Sequence, residues 1–575
     1  MLKEEKYKII SEDYMDFIIK YNGDPISLQR FNQYSAHIVN GTYAIIYLPV
    51  SQISTNLVTR YGYSGIPHCY SLNSEQSLIS SGIVRLRRST ALNLRGKGTI
   101  VGIIDTGIDY THPVFRNSDG TTKIISIWDQ SIDSEDKHPI AYYPVYYGTE
   151  YTAEQINRAL QDENPLQIVP STDELGHGTM LAGIAAGSED AEHNFSGVVP
   201  EADLIVVKLK PAKNNLRDFY FIPPGVPCYQ ENDIMWAVQY IVNTARTLRR
   251  PVAVCIGLGT SQGSHDNNDA LNMTASVVGD FPGVAITVSV GNEGISRRHV
   301  YSTIEPAGLP VAVELNVGEE EQGFTMEFWG DPPATYTLDI FSPGGERIPK
   351  ILERLIGNQE ISLFFEKTLI HIDYFMVESE TGKQVILLRF KNPSPGLWRF
   401  QIYARGDLQG AFHIWLPSDG FISADTFFQN ASSSTTLTSP GNSLVPISVT
   451  AYNTITNTIY PNSGRGFSTS NIINPDLAAP GVNLQCPDLN HGFTAITGTG
   501  AAAAHTAGIA AMLLEWSIIN GNLPGIDTVG IKKFLIRGAA RSSLYRYPER
   551  TWGYGMVDIY NSFDLLRADI FGKYL

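Results

Sequence analysis

The chain predicts an α/β fold: a parallel sheet core, with a small αβ unit ahead of it and an all-β module inserted into it. Three observations carry this expectation. Thr99-Ile100-Val101-Gly102-Ile103-Ile104 is an apolar, β-branched run that stops at Asp105-Thr106-Gly107, as a parallel strand buried on both faces does when its tip presents a carboxylate. Two later segments, around His177 and Gly500, open runs of small residues that read as helices able to lie close under a sheet. Between 305 and 417 the pattern changes to short aromatic and β-branched runs separated by Pro/Gly turns, which reads as a sandwich or jelly roll.

Taken in order, residues 1–88 hold the apolar run Tyr43-Ala44-Ile45-Ile46-Tyr47-Leu48 and an earlier amphipathic stretch from Tyr14 to Tyr21, enough for a compact αβ unit. Residues 89–304 form the first part of the core. Within it, Gly176-His177-Gly178 precedes the run Thr179 to Gly183. Glycines on both sides let backbone pass close to the imidazole while a helix begins, so the histidine sits at a helix mouth. Residues 305–417 are the insertion, with strands expected at Phe324–Trp329, Tyr336–Phe341 and Leu397–Tyr403 and turns at Asp331-Pro332-Pro333 and Ser342-Pro343-Gly344-Gly345. The core resumes over 418–575, where Thr497-Gly498-Thr499-Gly500 makes a tight turn into Ala501-Ala502-Ala503-Ala504.

These segments resemble the Asp, His and Ser blocks of the subtilisin-like (subtilase) serine proteases, in that family's chain order. The resemblance places Asp105 and His177 in the catalytic triad and assigns Asn292, in Ser289-Val290-Gly291-Asn292-Glu293-Gly294, to the oxyanion hole. It also assigns Ile256-Gly257-Leu258-Gly259 to the wall of the substrate cleft, and Trp552 to Asp558 resembles the family's ending. The nucleophile position falls on Gly500, which has no side chain.

Acyl transfer needs an oxygen whose proton the histidine removes while the carboxylate fixes the imidazole tautomer. Asp105 and His177 therefore read as a base with nothing to activate, or as a buried hydrogen-bonded pair that joins strand to helix. Thr499 starts from the wrong backbone position to replace the serine, and a misplacement of about 1 Å costs roughly a hundredfold. Asn292 reads either as the oxyanion amide or as a local turn partner, and His505 as a helix histidine rather than a second base. Gly500 is read as a natural loss. The alternative is a subtilase endopeptidase inactivated by design or with residual activity, but designers choose alanine, since glycine costs up to about 1 kcal/mol more in a helix.

In subtilases a segment like 1–88 is a prodomain cut off by the enzyme's own serine; here it is expected to stay attached. That unit, the inserted β module and Ala504, where many subtilases have proline, resemble the Csp germination proteases of clostridial spores. The resemblance implies a CspA- or CspC-type pseudoprotease located in the spore cortex or coat region. It further implies partnership with other Csp proteins, including a CspB-type protease that activates a cortex hydrolase, and response to small-molecule germinants such as bile salts or amino acids.

Composition adds bounds. At 575 residues the chain exceeds the roughly 250–300 at which one core stops growing. Its 42 Lys and Arg against 58 Asp and Glu give a net charge of −16, which argues against nucleic acid or anionic membrane as partner. The four cysteines, Cys69, Cys228, Cys255 and Cys486, form no CxxC and read as reduced, buried thiols. No cofactor is expected, and no EF-hand-type loop offers a metal site, which leaves open only calcium sites assembled from distant loops. The charged start, Met1 to Lys8, lacks a signal-peptide apolar region. The longest small-apolar stretch, Ala501 to Leu514, is too short for a membrane span of about 30 Å.

Overall fold

In the computed structural model, residues 3–31, 34, 36–53, 57–72, 81–87, 92–133, 145–349 and 355–572 are described. The expected boundary between residues 88 and 89 lies outside them. Nine strands form the central sheet, in the order Thr458–Ile459, Ile447–Asn453, Val284–Ser289, Val252–Ile256, Ile100–Asp105, Asp203–Lys208, Ile124–Asp129 and Thr149–Thr152, with Leu477–Pro480 beside Ile447–Asn453. The six inner strands run parallel.

Side chains of these strands alternate between two cores, as the period of two requires. Val101, Ile103, Leu204, Val206, Ala253 and Cys255 pack with the helices His177–Ala186 and Thr499–Leu514. Ile100, Ile104, Ile205, Val207, Val254 and Ile256 face the other way, against the helices Glu231–Thr247 and Ala270–Gly279. Continuous apolar runs in the sequence are thus strands with no solvated face. The Thr499 helix continues through Glu515–Ile519 as a π turn. It is long and apolar enough to cross a membrane, yet every residue from Thr499 to Leu514 is buried inside the protein.

The β module is a sandwich. One sheet has six antiparallel strands and the other five, reaching from His299–Ile304 to Phe427–Phe428 and so beyond 305–417 at both ends. In Gly396–Arg405, Trp398, Phe400 and Ile402 point into the interface while Arg399 points out. Strand Gly323–Gly330 breaks that alternation, being buried at every position.

The reason is the N-terminal unit. Its three-stranded antiparallel sheet orders Tyr14–Lys20, Tyr43–Pro49 and Ala36–Ile38. Ile18, Ile45 and Tyr47 pack toward the helix Glu231–Thr247, while Phe17, Ile46 and Leu48 join Trp329, Leu387 and Trp415 of the sandwich. Both faces of the two long strands are covered, so they form a filling layer between core and β module, while Ala36–Ile38 is half-buried to exposed at the edge. Polar ties match the apolar ones. Lys213 of the core forms a buried ion pair with Asp16, and Asn232 Nδ2 donates to the same carboxylate (2.9 Å). Glu327 of the sandwich accepts from Tyr63 Oη of the N-terminal unit (2.5 Å) and from the Gly263 N–H of the core (2.9 Å).

Where the core's chain enters the sandwich, the rings of His299 and His413 stack on Trp415, with centroids 4.8 and 4.9 Å away. His299 Nδ1 donates to the Ser434 carbonyl (2.7 Å), which leaves Nε2 to accept from His413 Nδ1 (2.9 Å). Burial pushes the His299 imidazole down to about 3 and His413 well below the histidine range.

Two outcomes follow from this packing. Replacing Lys213 by alanine strands the Asp16 carboxylate, a loss of about 3–5 kcal/mol for a buried pair broken on one side, measured by chemical denaturation; a loss under about 1 kcal/mol, typical of surface pairs, would refute the clamp. The unfolded state takes up protons on His299 and His413 near pH 6.5 while the folded state stays neutral, so stability is full above that pH and falls as pH drops toward 3. Denaturation midpoints between pH 7 and 4.5 should fall more steeply for the native chain than for the double variant H299L/H413L, and equal slopes would contradict the assignment.

Candidate functional site

Asp105 ends the strand Ile100–Asp105 on the same face as Val101 and Ile103, and so points toward the helices that begin near His177 and Gly500. It is fully buried. Its Oδ1 accepts from His177 Nδ1 (2.6 Å) and from the Thr106 N–H (2.8 Å). A carboxylate only accepts, so His177 donates to it through Nδ1–H.

His177 is the first residue of its helix, after Gly176 at φ +78°. Asp173 builds this helix start. Its Oδ1 accepts from Gly176 N–H and Thr106 Oγ1 (2.8 and 2.7 Å), and its Oδ2 from Thr179 N–H and Oγ1 (2.8 and 2.7 Å). Gly178 N–H donates to Thr106 Oγ1 (2.9 Å), and a Cβ at 178 would collide with the Gly107 carbonyl. Strand tip and helix mouth are thus fastened together through Thr106 and Asp173, and the glycine permits the close approach. The sequence reading found the histidine but not Asp173, whose role needs contacts reaching back to Thr106.

Gly500 is the second residue of the helix Thr499–Leu514, in helical backbone, after Gly498 at φ +152°. Asn292 stands over this helix start: its Oδ1 accepts from Thr499 N–H and Thr499 Oγ1, both at 3.2 Å. Asn292 is therefore a partner of the segment that carries Gly500. Gly257, in the expected cleft wall, closes the group. A Cβ there would lie 3.4 Å from Asp105 Oδ2 and 3.7 Å from Gly500 Cα, so carboxylate, cleft wall and residue 500 converge. His505 stays apart. It is buried, its Nε2 meets Ser81 Oγ at 2.7 Å, and burial pushes it down to about 3.

The cleft wall holds a strand that the sequence reading missed. Cys69–Leu72 pairs antiparallel with Leu258–Gly259, setting Leu72 opposite Leu258 and Ser71 opposite Gly259, and on its other edge with Tyr229–Gln230. Gln262 Oε1 accepts from Cys69 N–H (2.8 Å), and Glu231 Oε2 from His68 N–H (3.1 Å). Burial raises Glu231 to about 7. A four-residue strand with no alternation beyond Tyr70-Ser71-Leu72 gives too little periodicity to detect. All four cysteines are free and buried. Among the described residues no three His, Cys, Asp or Glu side chains group as a metal site.

The pattern that defines the Subtilase family matches residues 96–313 and 402–555, more than half of the chain, and passes over much of the β module. Among solved structures, the CspB protease of Clostridium perfringens superposes with a TM-score of 0.76 at 28% identity, covering 85% of this chain and 97% of that one. The minor extracellular protease Vpr of Bacillus subtilis is 21% identical over 453 residues, 74% of this chain and 47% of its own length. The PII-type proteinase of Lacticaseibacillus paracasei is 31% identical over 120 residues, 20% of this chain and 6% of its own length. The chain thus spans less than half the length of these two curated relatives. Sheet order, the Asp105–His177 pair and the two matched segments agree: the chain belongs to the subtilase family.

Proposed function

We propose that this chain is a catalytically dead subtilisin-like pseudoprotease that acts by binding, in spore germination. The observation that carries this is glycine at position 500, at the start of the Thr499 helix, where a Cβ placed on the wall residue Gly257 would lie 3.4 Å from Asp105 Oδ2 and 3.7 Å from Gly500 Cα. His177 offers a base, yet no hydroxyl stands there to be deprotonated. Loss of the serine costs subtilisin about a millionfold in turnover.

The likeness to the CspB protease supports the germination setting. On this proposal the chain sits in the spore cortex or coat region, responds to small germinants such as bile salts or amino acids, and regulates a partner CspB-type protease that activates a cortex hydrolase. It does so in a heteromer with other Csp proteins of the CspA or CspC type. The N-terminal unit supports a binding role, because Cys69–Leu72 pairs as a strand with the Leu258–Gly259 wall and the two long strands of the unit's sheet are buried on both faces. The intact Asp105–His177 hydrogen bond favours a second reading, a serine endopeptidase inactivated by design or with residual activity.

The test is Gly500→Ser, which helical backbone at 500 accommodates. The native chain should keep its full intact mass and take no fluorophosphonate label, whereas the variant should be labelled at residue 500 and cut itself between Ser71 and Arg88. Labelling of the native chain that vanishes on denaturation would instead establish the endopeptidase. A variant that neither labels nor cuts would place the loss of activity in more than one residue.

A further inference from the structure

A cavity of about 550 Å³ opens behind the loop that presents His177, sharing Thr172 and Asp173 with it. That volume lies in the range of about 300–1,000 Å³ usual for ligand sites. It is separate from the groove beside the cleft strand, which Thr106, Leu175 and Tyr229 line. Tyr110, Leu166 and Leu489 make its apolar wall; Leu166 is 49% and Leu489 38% exposed, high for leucines facing one hollow. Asp109, Glu163 and His491 stand on its rim.

The cavity is mechanically joined to the site. Leu489 Cγ lies 3.3 Å from where a Cβ of Gly176 would be, so it rests against the cap of the His177 helix. Asp109 N–H donates to Thr179 Oγ1 (2.8 Å), and that hydroxyl donates to Asp173. Residues 163–167 form a continuous wall, exposed at Glu163, Asn164, Leu166 and Gln167. Such an open-sided hollow suits an extended segment laid along it rather than an enclosed small molecule.

The rim is acidic in a chain of net charge −16. Asp109 has His491 Nε2 3.4 Å away, on a half-exposed ring, whereas Glu163 faces solvent. Cationic groups are drawn to such a rim and anionic ones repelled. From the apolar wall and this charge we infer that the cavity docks an extended segment of a partner protein in which a leucine-sized apolar side chain sits next to a lysine or arginine. The inference rests on the binding role proposed above, and it names the place and chemistry of that contact: the apolar side chain enters between Leu166 and Leu489, and the cation pairs with Glu163.

The experiment uses the full chain with 13C-methyl leucine and two capped hexapeptides, Gly-Gly-Leu-Arg-Gly-Gly and Gly-Gly-Leu-Glu-Gly-Gly. The Leu-Arg peptide should shift the Leu166 and Leu489 methyl signals saturably and bind at least tenfold tighter than the Leu-Glu peptide. Glu163→Lys, a change at an exposed side chain, should erase that preference. No saturable shift at these methyls, or equal response to both peptides in the native chain, overturns the inference. So does an equal response to free butylguanidinium, which would make the site one for small cations. Hydrolysis of the bound probe would sink the pseudoprotease reading and leave the docking site standing, whereas absent binding of an uncut probe does the reverse.

Discussion

A sheet whose two long strands have no solvent face governs how the molecule is assembled. Tyr14–Lys20 and Tyr43–Pro49 bury one side against the helices behind the central sheet and the other against the β sandwich. At about 25 cal/mol for each Å² of apolar surface removed from water, a layer covered twice resists release far more than one resting on a single surface. The buried Lys213–Asp16 pair and the shared Glu327 carboxylate make the same layer polar at fixed points, which sets its registry. The chain that leaves this layer runs as Cys69–Leu72 along the cleft. Occupation of the cleft is thus tied to the packing of three units rather than to the few hydrogen bonds of one short strand.

Against that background the site is tightly built. Asp173 and Thr106 hold the histidine loop to the strand tip, Asp105 fixes the His177 tautomer, and Asn292 braces the helix that begins at Thr499. Each of these contacts orients a side chain or a backbone segment. The same rigidity suits a surface used for recognition, since a preorganised site loses less entropy when a partner docks.

Much of this was legible in the sequence. The run ending at Asp105 read as a doubly buried strand, the glycines beside His177 announced close backbone approach, and Gly498-Thr499-Gly500 marked the turn into the helix Thr499–Leu514. Strands such as Leu397–Tyr403 were readable because Trp398, Phe400 and Ile402 alternate with polar neighbours. What escaped has a common cause. Asp173, Glu327, the Lys213–Asp16 pair and the cleft strand act through partners dozens to hundreds of residues away, and local periodicity carries no trace of them. The sandwich was read too short because its last strand, Phe427–Phe428, has two residues and exists only by pairing with Leu315–Asn316.

The account stands or falls on whether the native chain turns over a peptide bond. Steady-state hydrolysis of a casein-derived peptide mixture, followed by mass spectrometry on protein freed of contaminating proteases and beside Gly500→Ser, measures this directly. The native chain should match the buffer blank; sustained cleavage that tracks its concentration and rivals the serine variant would contradict the central claim.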